Sequence, residues 1–457
     1  MTTECAERVL LDGFARALGV DPARVAFDGP ATLASAYPVT DFAAASVAAS
    51  ALAIADLVAA VGGRSPEASV RRDLAEAWFR TAVRPSGWEP PAPWDPIAGD
   101  YRASDGWIRL HTNAQRHRAA ALRVLGTAAE RDAVAAAVAT WEAQALEDAV
   151  VDAGGAAALM RTAEAWAAHP QGVALAAEPL VARSPGSALA GPSTWDPDPA
   201  RPLRGARILD LTRVLAGPVA TRLLAGLGAT VLRVDPPDWD EPALEPDMTL
   251  GKRAARLDAR APDGAERLRE LLASADAIVH GYRSDALEGL GLGEAERRAA
   301  RPGLIDVSLD AYGFTGPWAR RRGFDSLVQM SAGIAEHGMR AAGADRPVPL
   351  PVQALDHATG YLVAAAAIRA FADRARDGVG STARLSLART ALELERVRDL
   401  ATAVEPGAPA EPLPSTPITT PWGPADLLEP PFVVEGVGVA WSEPPRPLGA
   451  DAPRWPA

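Results

Sequence analysis

The sequence predicts an α/β protein built on a parallel, doubly wound sheet, with an alanine-rich helical and small α/β region before it. Three observations lead to this prediction. Strand-like and helix-like segments alternate from residue 203 to residue 310, and alanine-rich helical stretches fill most of the first two hundred residues. Clusters of proline and glycine separate these blocks, as is typical of loops and linkers.

The first elements of the chain are mainly helical. Thr40 and Asp41 can cap a helix that continues to about Val61, since aspartate accepts hydrogen bonds from the free N–H groups of a first turn. Residues 106–111 alternate like a strand, and residues 114–125 are predicted to form a helix.

A regular β–α pattern begins at Leu203. Proline is accepted in a first helical turn, so Gly217-Pro218 marks the start of the first helix of this part. The predicted strands are 206–212, 229–235, 276–280 and 304–309, and the predicted helices are 217–227, 265–274, a short one near Ala286, and 361–371. This order predicts parallel strands in a Rossmann-like half.

Composition excludes several classes of protein. The 457 residues carry a formal net charge of −12, so no basic stripe is available for a nucleic acid. A single cysteine, Cys5, rules out a disulfide framework, and the six histidines lack metal-binding spacing. We therefore expect no metal and no nucleic-acid partner.

The sequence indicates a protein of the cytoplasm that has no membrane partner. The first residues carry acidic side chains and no apolar signal core. The most apolar helical run, 42–55, is too short to cross a bilayer.

The turn after the first strand of the Rossmann-like half argues against NAD. Residues 213–218 read Arg-Val-Leu-Ala-Gly-Pro and offer one usable glycine, whereas a dinucleotide site needs several. The start of the following helix could still bind another phosphate-bearing ligand. Asp356, taken alone, fits a helix cap or a surface acid better than a catalytic group, although a helix dipole would hold it ionised.

Several segments, taken in order, resemble the class III coenzyme A transferase family, which includes formyl-CoA and carnitine CoA-transferases and α-methylacyl-CoA racemase. The resemblance covers about residues 203–395. Its main segments are ILDLTRVLAGP (208–218), LAGLGATVLRVDPP (224–237), DAIV (276–279), LEGLG (287–291), YGFTGP (312–317), GFDSL (323–327) and PVQALD (351–356).

The resemblance implies a set of site residues. Asp356 falls on the family's nucleophilic aspartate, and the loop of Val214, Leu215 and Ala216 falls beside the CoA thioester. The other implied CoA-binding residues are Leu257 at an adenine contact, Arg260 and Arg322 at phosphate-binding positions, and Tyr282. The implied cofactor is coenzyme A, bound as the acyl-CoA substrate, without NAD.

The sequence also departs from the family. Gly281 and Gly289 stand where an asparagine and an arginine are usual, so two polar CoA contacts are missing. Phe324 replaces the histidine of racemase relatives, which removes one of two acid/base groups. The glycine-rich lid of formyl-CoA transferases is absent.

The domain order is unusual as well. We predict an N-terminal region (1–190) that resembles the aspartate helix and small domain of a family copy. A Rossmann-like CoA-binding domain with the catalytic aspartate (200–400) and a proline-rich C-terminal return segment (401–457) follow. Asp41 occupies the aspartate position of the first region and is interpreted as a relic cap. The small-domain-like block, about 100–185, is expected to pack near Asp356 and close the acyl pocket.

The sequence thus predicts an acyl-CoA:carboxylate CoA-transferase that works through a covalent intermediate at Asp356. Its substrates would be an acyl-CoA and a small carboxylate, and a homodimer is left open. The alternatives are an acyl-CoA racemase or isomerase, disfavoured by Phe324, and a non-catalytic CoA-ester-binding homologue, favoured by Gly281 and Gly289.

Overall fold

The computed structural model describes residues 5–282, 286–401 and 412–456. The elements of the N-terminal half are α1 (Ala6–Leu18), β1 (Val25–Asp28), α2 (Val39–Ala60), β2 (Ala68–Arg71), α3 (Arg72–Trp78), β3 (Val83–Pro85), β4 (Gly99–Arg102), β5 (Trp107–Leu110), α4 (Gln115–Leu125), α5 (Arg131–Val138), α6 (Ala143–Asp152), β6 (Ala157–Leu159), α7 (Ala163–Ala168), α8 (Pro170–Ala176) and β7 (Ala182–Ala188).

The remaining elements begin with the predicted β–α alternation. They are β8 (Arg207–Leu211), α9 (Ala216–Gly226), β9 (Thr230–Asp235), α10 (Glu245–Met248), β10 (Lys252–Arg256), α11 (Pro262–Ala273), β11 (Ala277–His280), α12 (Glu294–Ala300), β12 (Ile305–Asp310), α13 (Asp325–Ser331), α14 (Ile334–Ala341), α15 (Ala354–Asp377), β13 (Val379–Ser386), α16 (Leu387–Arg396), β14 (Ser415–Thr420), β15 (Gly423–Leu428) and β16 (Phe432–Val434). The helix predicted near Ala286 is a 3-10 turn over Glu288–Leu290, and residues 283–285 lie outside the described part.

The large sheet has the predicted α/β architecture. Its order is β10-β9-β8-β11-β12-β13-β7, and the strands from β8 to β13 are parallel. Counted from β8, these six strands stand in the order 3-2-1-4-5-6 of a doubly wound, Rossmann-like sheet. The order reverses between β8 and β11, so a crevice forms at their carboxyl ends. Strand β7, from the predicted N-terminal region, adds an antiparallel edge on β13.

Three smaller sheets surround this one. Strands β1, β2 and β16 form the first, in which the C-terminal β16 pairs antiparallel with β2. Strands β14 and β15 form a hairpin that continues onto β3. Strands β4, β5 and β6 form the third. Residues from both ends of the chain therefore share two of the three small sheets.

Two long, alanine-rich helices form the centre of the molecule. Helix α2 packs along α15, and Ser50 Oγ donates a 2.7 Å hydrogen bond to the Tyr361 carbonyl oxygen across this contact. Both helices are rich in alanine, whose small side chain lets two helix backbones approach closely. By length and composition the 22-residue α2 could cross a membrane, but 89% of its most apolar window is buried within the structure. Because an apolar helix buried inside a fold meets the same criteria, its position here is that of a core helix.

The two central helices begin in the same way. Pro38 (φ −76°, ψ 67°) precedes α2 and Gln353 (φ −72°, ψ 65°) precedes α15, both with the dihedral angles of an inverse γ-turn. Asp41 and Asp356 are each the third residue of their helix. Neither side chain caps its helix, so the predicted cap at Thr40 and Asp41 is wrong, and α15 begins seven residues before the predicted 361–371.

The block from Ile97 to Leu159 has its own apolar core. Val134 and Val138 are fully buried in it, and Leu122 and Leu125 pack against it. These four side chains thus belong to the core of the block itself. A separate apolar cluster, containing Ala156, Ala158, Leu327, Met330 and Ala335, joins the block to α13 and α14.

Candidate active site

A cavity of about 830 Å³ opens at the carboxyl edge of the large sheet. It lies where the strand order reverses, between the loops that follow β8 and β11, which is the ligand-binding position in sheets of this type. Of the predicted site residues, the cavity is lined by Val214, Ala216, Leu257, Arg260, Tyr282, Arg322 and Asp356. Leu215 is not on this wall, since its side chain is buried in the core.

The loop after β8 carries unusual backbone strain. Val214 has φ 63°, a left-handed conformation that is unfavourable for a β-branched residue. Its N–H donates a 2.9 Å hydrogen bond to Glu241 Oε2, which also accepts from Trp239 Nε1 at 2.9 Å. Arg233, fully buried, pairs with Glu241 and Asp235. This buried network holds the loop against the cavity.

Asp356 lies on the cavity wall in the first turn of α15. Only 7% of the residue is exposed, so the interpretation as a surface acid is wrong. Burial, and then the nearby carboxylate of Asp325, raise the pKa of Asp356 well above its usual range. Burial and the Asp325 carboxylate therefore oppose the ionised state that a helix dipole would favour.

Asp325 is the closest chemical partner of Asp356. Its Oδ2 accepts the Asp356 backbone N–H at 3.0 Å, and its other oxygen accepts from Gln329 Nε2. Burial is the largest effect on Asp325, which is 1% exposed, and raises its pKa to about 6 against these two hydrogen bonds. Two adjacent buried carboxyls favour retention of one proton between them. Since Asp325 accepts two N–H donors, we place that proton on Asp356.

The part of the cavity wall that carries the predicted phosphate-binding arginines is basic. Arg260 and Arg322 lie on its wall together with Arg321 and, from α4, Arg116. Arg213 Nη2 donates to the Tyr282 hydroxyl at 3.0 Å.

Comparison with known proteins finds a match for the half of the chain that contributes most of the residues lining this cavity. Residues 203–417 match the family model of CoA-transferase family III. We call residues 203–417, which this model matches, the family III region. This confirms the resemblance on which the site residues were chosen.

Named relatives of the family III region match only part of this chain. The acetyl-coenzyme A transferase nodX of Hypoxylon pulicicidum is 35% identical over 210 residues, which are 43% of this chain and 35% of that protein. Succinyl-CoA:glutarate CoA-transferase of Mus musculus is 34% identical over 220 residues, covering 43% of this chain and 50% of the relative. The chain thus spans between a third and a half of the length of these two curated relatives.

Solved structures also match part of the chain. The crystal structure of a hypothetical protein (Rv3272) from Mycobacterium tuberculosis is 30% identical, with a TM-score of 0.40, and the match covers 44% of this chain and 59% of that one.

The two glycine departures leave open space in the family III region. A Cβ at Gly281 would meet only ordinary contacts with Leu309 and Thr212, at 3.7 Å or more. Among the residues that the structure describes, a Cβ at Gly289 would meet nothing within 4 Å. Both residues line the cavity, so the side chains missing there are not replaced by close packing.

Phe324, the third departure, is enclosed by histidines from the N-terminal half. His111 stacks on it with ring centroids 3.7 Å apart, and His117 meets its edge at 5.7 Å. Burial lowers the pKa of both histidines to about 3, so both are neutral at pH 7. Phe324 directly precedes Asp325, and its packing therefore fixes the start of α13 beside Asp356.

The small-domain-like block, about residues 100–185, packs near Asp356, as expected. Arg321 of the family III region donates to Glu147 Oε1 at 2.8 Å and to the Ala157 carbonyl oxygen at 2.9 Å. The Arg161 N–H donates to the Met330 carbonyl oxygen at 2.9 Å. Helix α4 brings Arg116 and His117 to the cavity wall. Among residues 5–282, 286–401 and 412–456, no three His, Cys, Asp or Glu side chains are grouped as a metal site would require.

Sequence reasoning missed three participants in this site. Asp325 stood within the segment GFDSL, but nothing in its spacing pairs it with a residue 31 positions later. Arg213 lay in the correct loop and could have been chosen as the cation nearest the turn. Arg116 had no signal, because only the tertiary packing of the N-terminal half brings it to the cavity.

Proposed function

We propose that the chain is an acyl-CoA:carboxylate CoA-transferase with Asp356 as its nucleophile and acyl-CoA as the CoA-bearing substrate. The observation that carries the proposal is the buried carboxyl of Asp356 on the wall of a cavity at the ligand-binding edge of a family III region. Relatives of this region are named as CoA-transferases, which supports the reaction class. The acyl group and the acceptor are not encoded in these residues.

In the proposed reaction Asp356 first releases its proton to solvent, and the resulting carboxylate attacks the carbonyl carbon of the acyl-CoA. The C–S bond breaks, a mixed anhydride forms and CoA leaves as a thiolate. The thiolate then attacks the aspartyl carbonyl, which releases the first carboxylate and leaves an aspartyl-CoA thioester. An acceptor carboxylate then attacks the aspartyl-CoA thioester, which releases CoA thiolate and forms a second mixed anhydride. The thiolate attacks the acceptor's carbonyl carbon in this anhydride, which regenerates Asp356 and forms the new acyl-CoA. This covalent route replaces one step of high activation free energy with steps of lower activation free energy.

The surroundings of Asp356 suit these steps. A carboxyl with a raised pKa is more basic, and so more nucleophilic, once its proton has been removed. Ala216 and Gly217 at the start of α9 line the cavity, and the first-turn N–H groups of a helix favour negative charge. They would therefore stabilise the oxyanion and the departing thiolate.

Two alternative functions remain distinguishable from this one. A racemase or isomerase would need a second acid/base group, and Phe324 occupies the position at which racemase relatives have a histidine. A non-catalytic homologue would bind CoA esters without forming an adduct, as the open space at Gly281 and Gly289 would suit.

The test is to incubate the protein with a panel of acyl-CoAs and to measure the mass of the peptide that contains Asp356. We expect an added acyl or CoA group in the wild type and none in Asp356→Asn. The matched control is Asp41→Asn, which changes the same position of the paired helix α2 and should keep both the adduct and turnover.

Two results would contradict the proposal. Full turnover by a folded Asp356→Asn variant would exclude the nucleophile. Exchange of the substrate α-hydrogen in deuterated water, without transfer to any carboxylate, would favour the racemase or isomerase.

A further inference from the structure

Helix α4 belongs to the N-terminal half and lies outside residues 203–417, yet it reaches the coenzyme cavity of the family III region. Its Arg116 joins Arg213, Arg260 and Arg322 along one side of that cavity. After burial, the charges of Arg213 and Arg322 are the next causes that lower the pKa of Arg116; Asp238 then raises this pKa, and Arg260 lowers it further. Arg116 therefore lies close enough to the other three arginines to feel their charge.

Aromatic rings hold part of this cluster in place. Arg213 lies over the rings of Trp239 and Tyr282, with centroid distances of 4.7 and 4.8 Å. Arg116 lies over Trp239 at 5.9 Å. The row Arg116, Trp239, Arg213 and Tyr282 therefore runs from the N-terminal half into the family III region. Stacking on a ring fixes a guanidinium without consuming its charge.

Three of these four arginines are not neutralised by a direct ion pair within the described part of the chain, although Asp235, Asp238 and Asp258 also line the cavity. Arg116, Arg213 and Arg260 take part in none of the ion pairs found among the described residues. The protein as a whole has a net charge of −12. A concentration of unpaired guanidinium groups in an acidic protein is a recognition surface for a polyanion, and guanidinium forks suit phosphate.

We propose that Arg116 binds a phosphate group of the CoA thioester, so that the N-terminal half completes the coenzyme site of the family III region. The inference rests on the proposed function. Arg116 would supply positive charge at a cavity whose wall has Gly289 in place of an arginine. The thioester end lies at Asp356 and the phosphate end at Arg116, so the coenzyme would contact both halves of the chain.

The experiment compares Arg116→Gln with Arg123→Gln, which removes an exposed arginine of the same helix that donates to the Ala153 carbonyl oxygen away from the cavity. The Kd of CoA and of dephospho-CoA is measured by calorimetry, and kcat and KM are measured with acyl-CoA and acyl-pantetheine. We expect the Kd of CoA to rise about tenfold in Arg116→Gln, with kcat little changed and the effect reduced by salt. Arg123→Gln should match the wild type, and Arg116→Lys should recover part of the affinity.

The truncated ligands identify the phosphate. If Arg116 contacts the 3′-phosphate, the wild type and Arg116→Gln will bind dephospho-CoA equally. If it contacts the diphosphate, the difference will persist. With acyl-pantetheine, which lacks both groups, the wild type and the variant should have the same KM.

Other results would overturn the inference. An unchanged Kd for CoA in Arg116→Gln, with normal transfer activity, would refute it and leave the proposed function intact. Equal weakening of CoA and acyl-pantetheine would show that Arg116 acts through packing on His117, which also refutes it. A wild-type chain that binds no CoA thioester would refute the inference together with the proposed function.

Discussion

At the scale of single residues, Asp356 connects chemistry with stability. Its carboxyl is buried beside the carboxyl of Asp325, and burial is the larger cause of its raised pKa. Desolvation of a charged group opposes folding, and the opposition grows as the group ionises. The same environment that makes Asp356 a strong base therefore weakens the fold at neutral pH.

Asp356→Asn should raise Tm at pH 8 by about 2 °C or more. A folded-state pKa above the unfolded value of about 3.9 gives stability that is present below that pH and is lost as pH rises through the folded value. Since asparagine removes this loss, the gain should shrink towards pH 4.5. Calorimetry of the wild type and the variant between pH 4.5 and 8 measures it. A constant loss of stability at every pH would instead indicate that the side chain stabilises the helix by hydrogen bonding.

Only part of the site could be predicted residue by residue. Asp356, Val214, Arg260 and Tyr282 were found because the resemblance carries their positions along the chain. The environment of Asp356 was not predicted, because a helix start favours an ionised acid, while the burial that opposes ionisation arises only in the folded molecule.

At the scale of elements, the contact between α9 and α15 positions the loop at the reacting end of the cavity. Gly360 lies one turn after Asp356, and a Cβ there would be 2.5 Å from the Ala216 carbonyl oxygen and 2.9 Å from Val219 Cβ. Glycine allows the start of α9 to rest directly on α15. Because Gly360 has no side chain, the loop before α9 can lie as close to Asp356 as it does.

Gly360→Ala should lower stability by about 1–3 kcal/mol, since the added methyl must push α9 or α15 aside. Because the loop moves with α9, KM for acyl-CoA should rise as well. Denaturant unfolding and steady-state kinetics measure the two effects. The control is Gly106→Ala, whose Cβ would meet nothing nearer than 3.8 Å and should change stability little. Unaltered stability and KM in Gly360→Ala would show that α9 can shift without consequence for the loop.

Elements were predictable where a pattern repeats and not where tertiary contact decides. The alternation from β8 to β12 follows from hydrophobic periodicity. No strand was predicted at β7, because Pro185 and Gly186 interrupt the segment that pairs with β13. The start of α15 was missed because an inverse γ-turn at Gln353 has no signature in the sequence.

At the scale of the whole molecule, the sheet order alone does not choose the ligand. Strands in the order 3-2-1-4-5-6 suit a dinucleotide as well as CoA. The turn after β8 distinguishes between these two ligands, since Val214 has a left-handed backbone conformation there and Gly217 is the one glycine of the turn. A pyrophosphate could not approach that turn as closely as it does a glycine-rich one.

CoA should therefore raise Tm and NAD should not. Binding to the native state at 100 times Kd adds about 2.7 kcal/mol to the free energy of unfolding. A thermal shift series with CoA, acetyl-CoA and NAD at equal concentrations measures the difference. A shift with NAD alone would reverse the ranking of ligands, and no shift with any of them would favour the non-catalytic homologue.

The sharing of small sheets between the two ends of the chain has a consequence for biosynthesis. Strand β2 pairs with β16, so Ala68–Val70 cannot form this pairing until Phe432–Val434 has been synthesised. Likewise, Trp78 stacks on Trp441, with ring centroids 5.7 Å apart. A ribosome releases these partners only after more than three hundred and fifty intervening residues have been made. Contacts so distant in sequence form slowly, and the apolar face of α2 that packs on α15 is likewise uncovered until α15 has been synthesised. The N-terminal half would thus be the first part synthesised and among the last to reach its final structure.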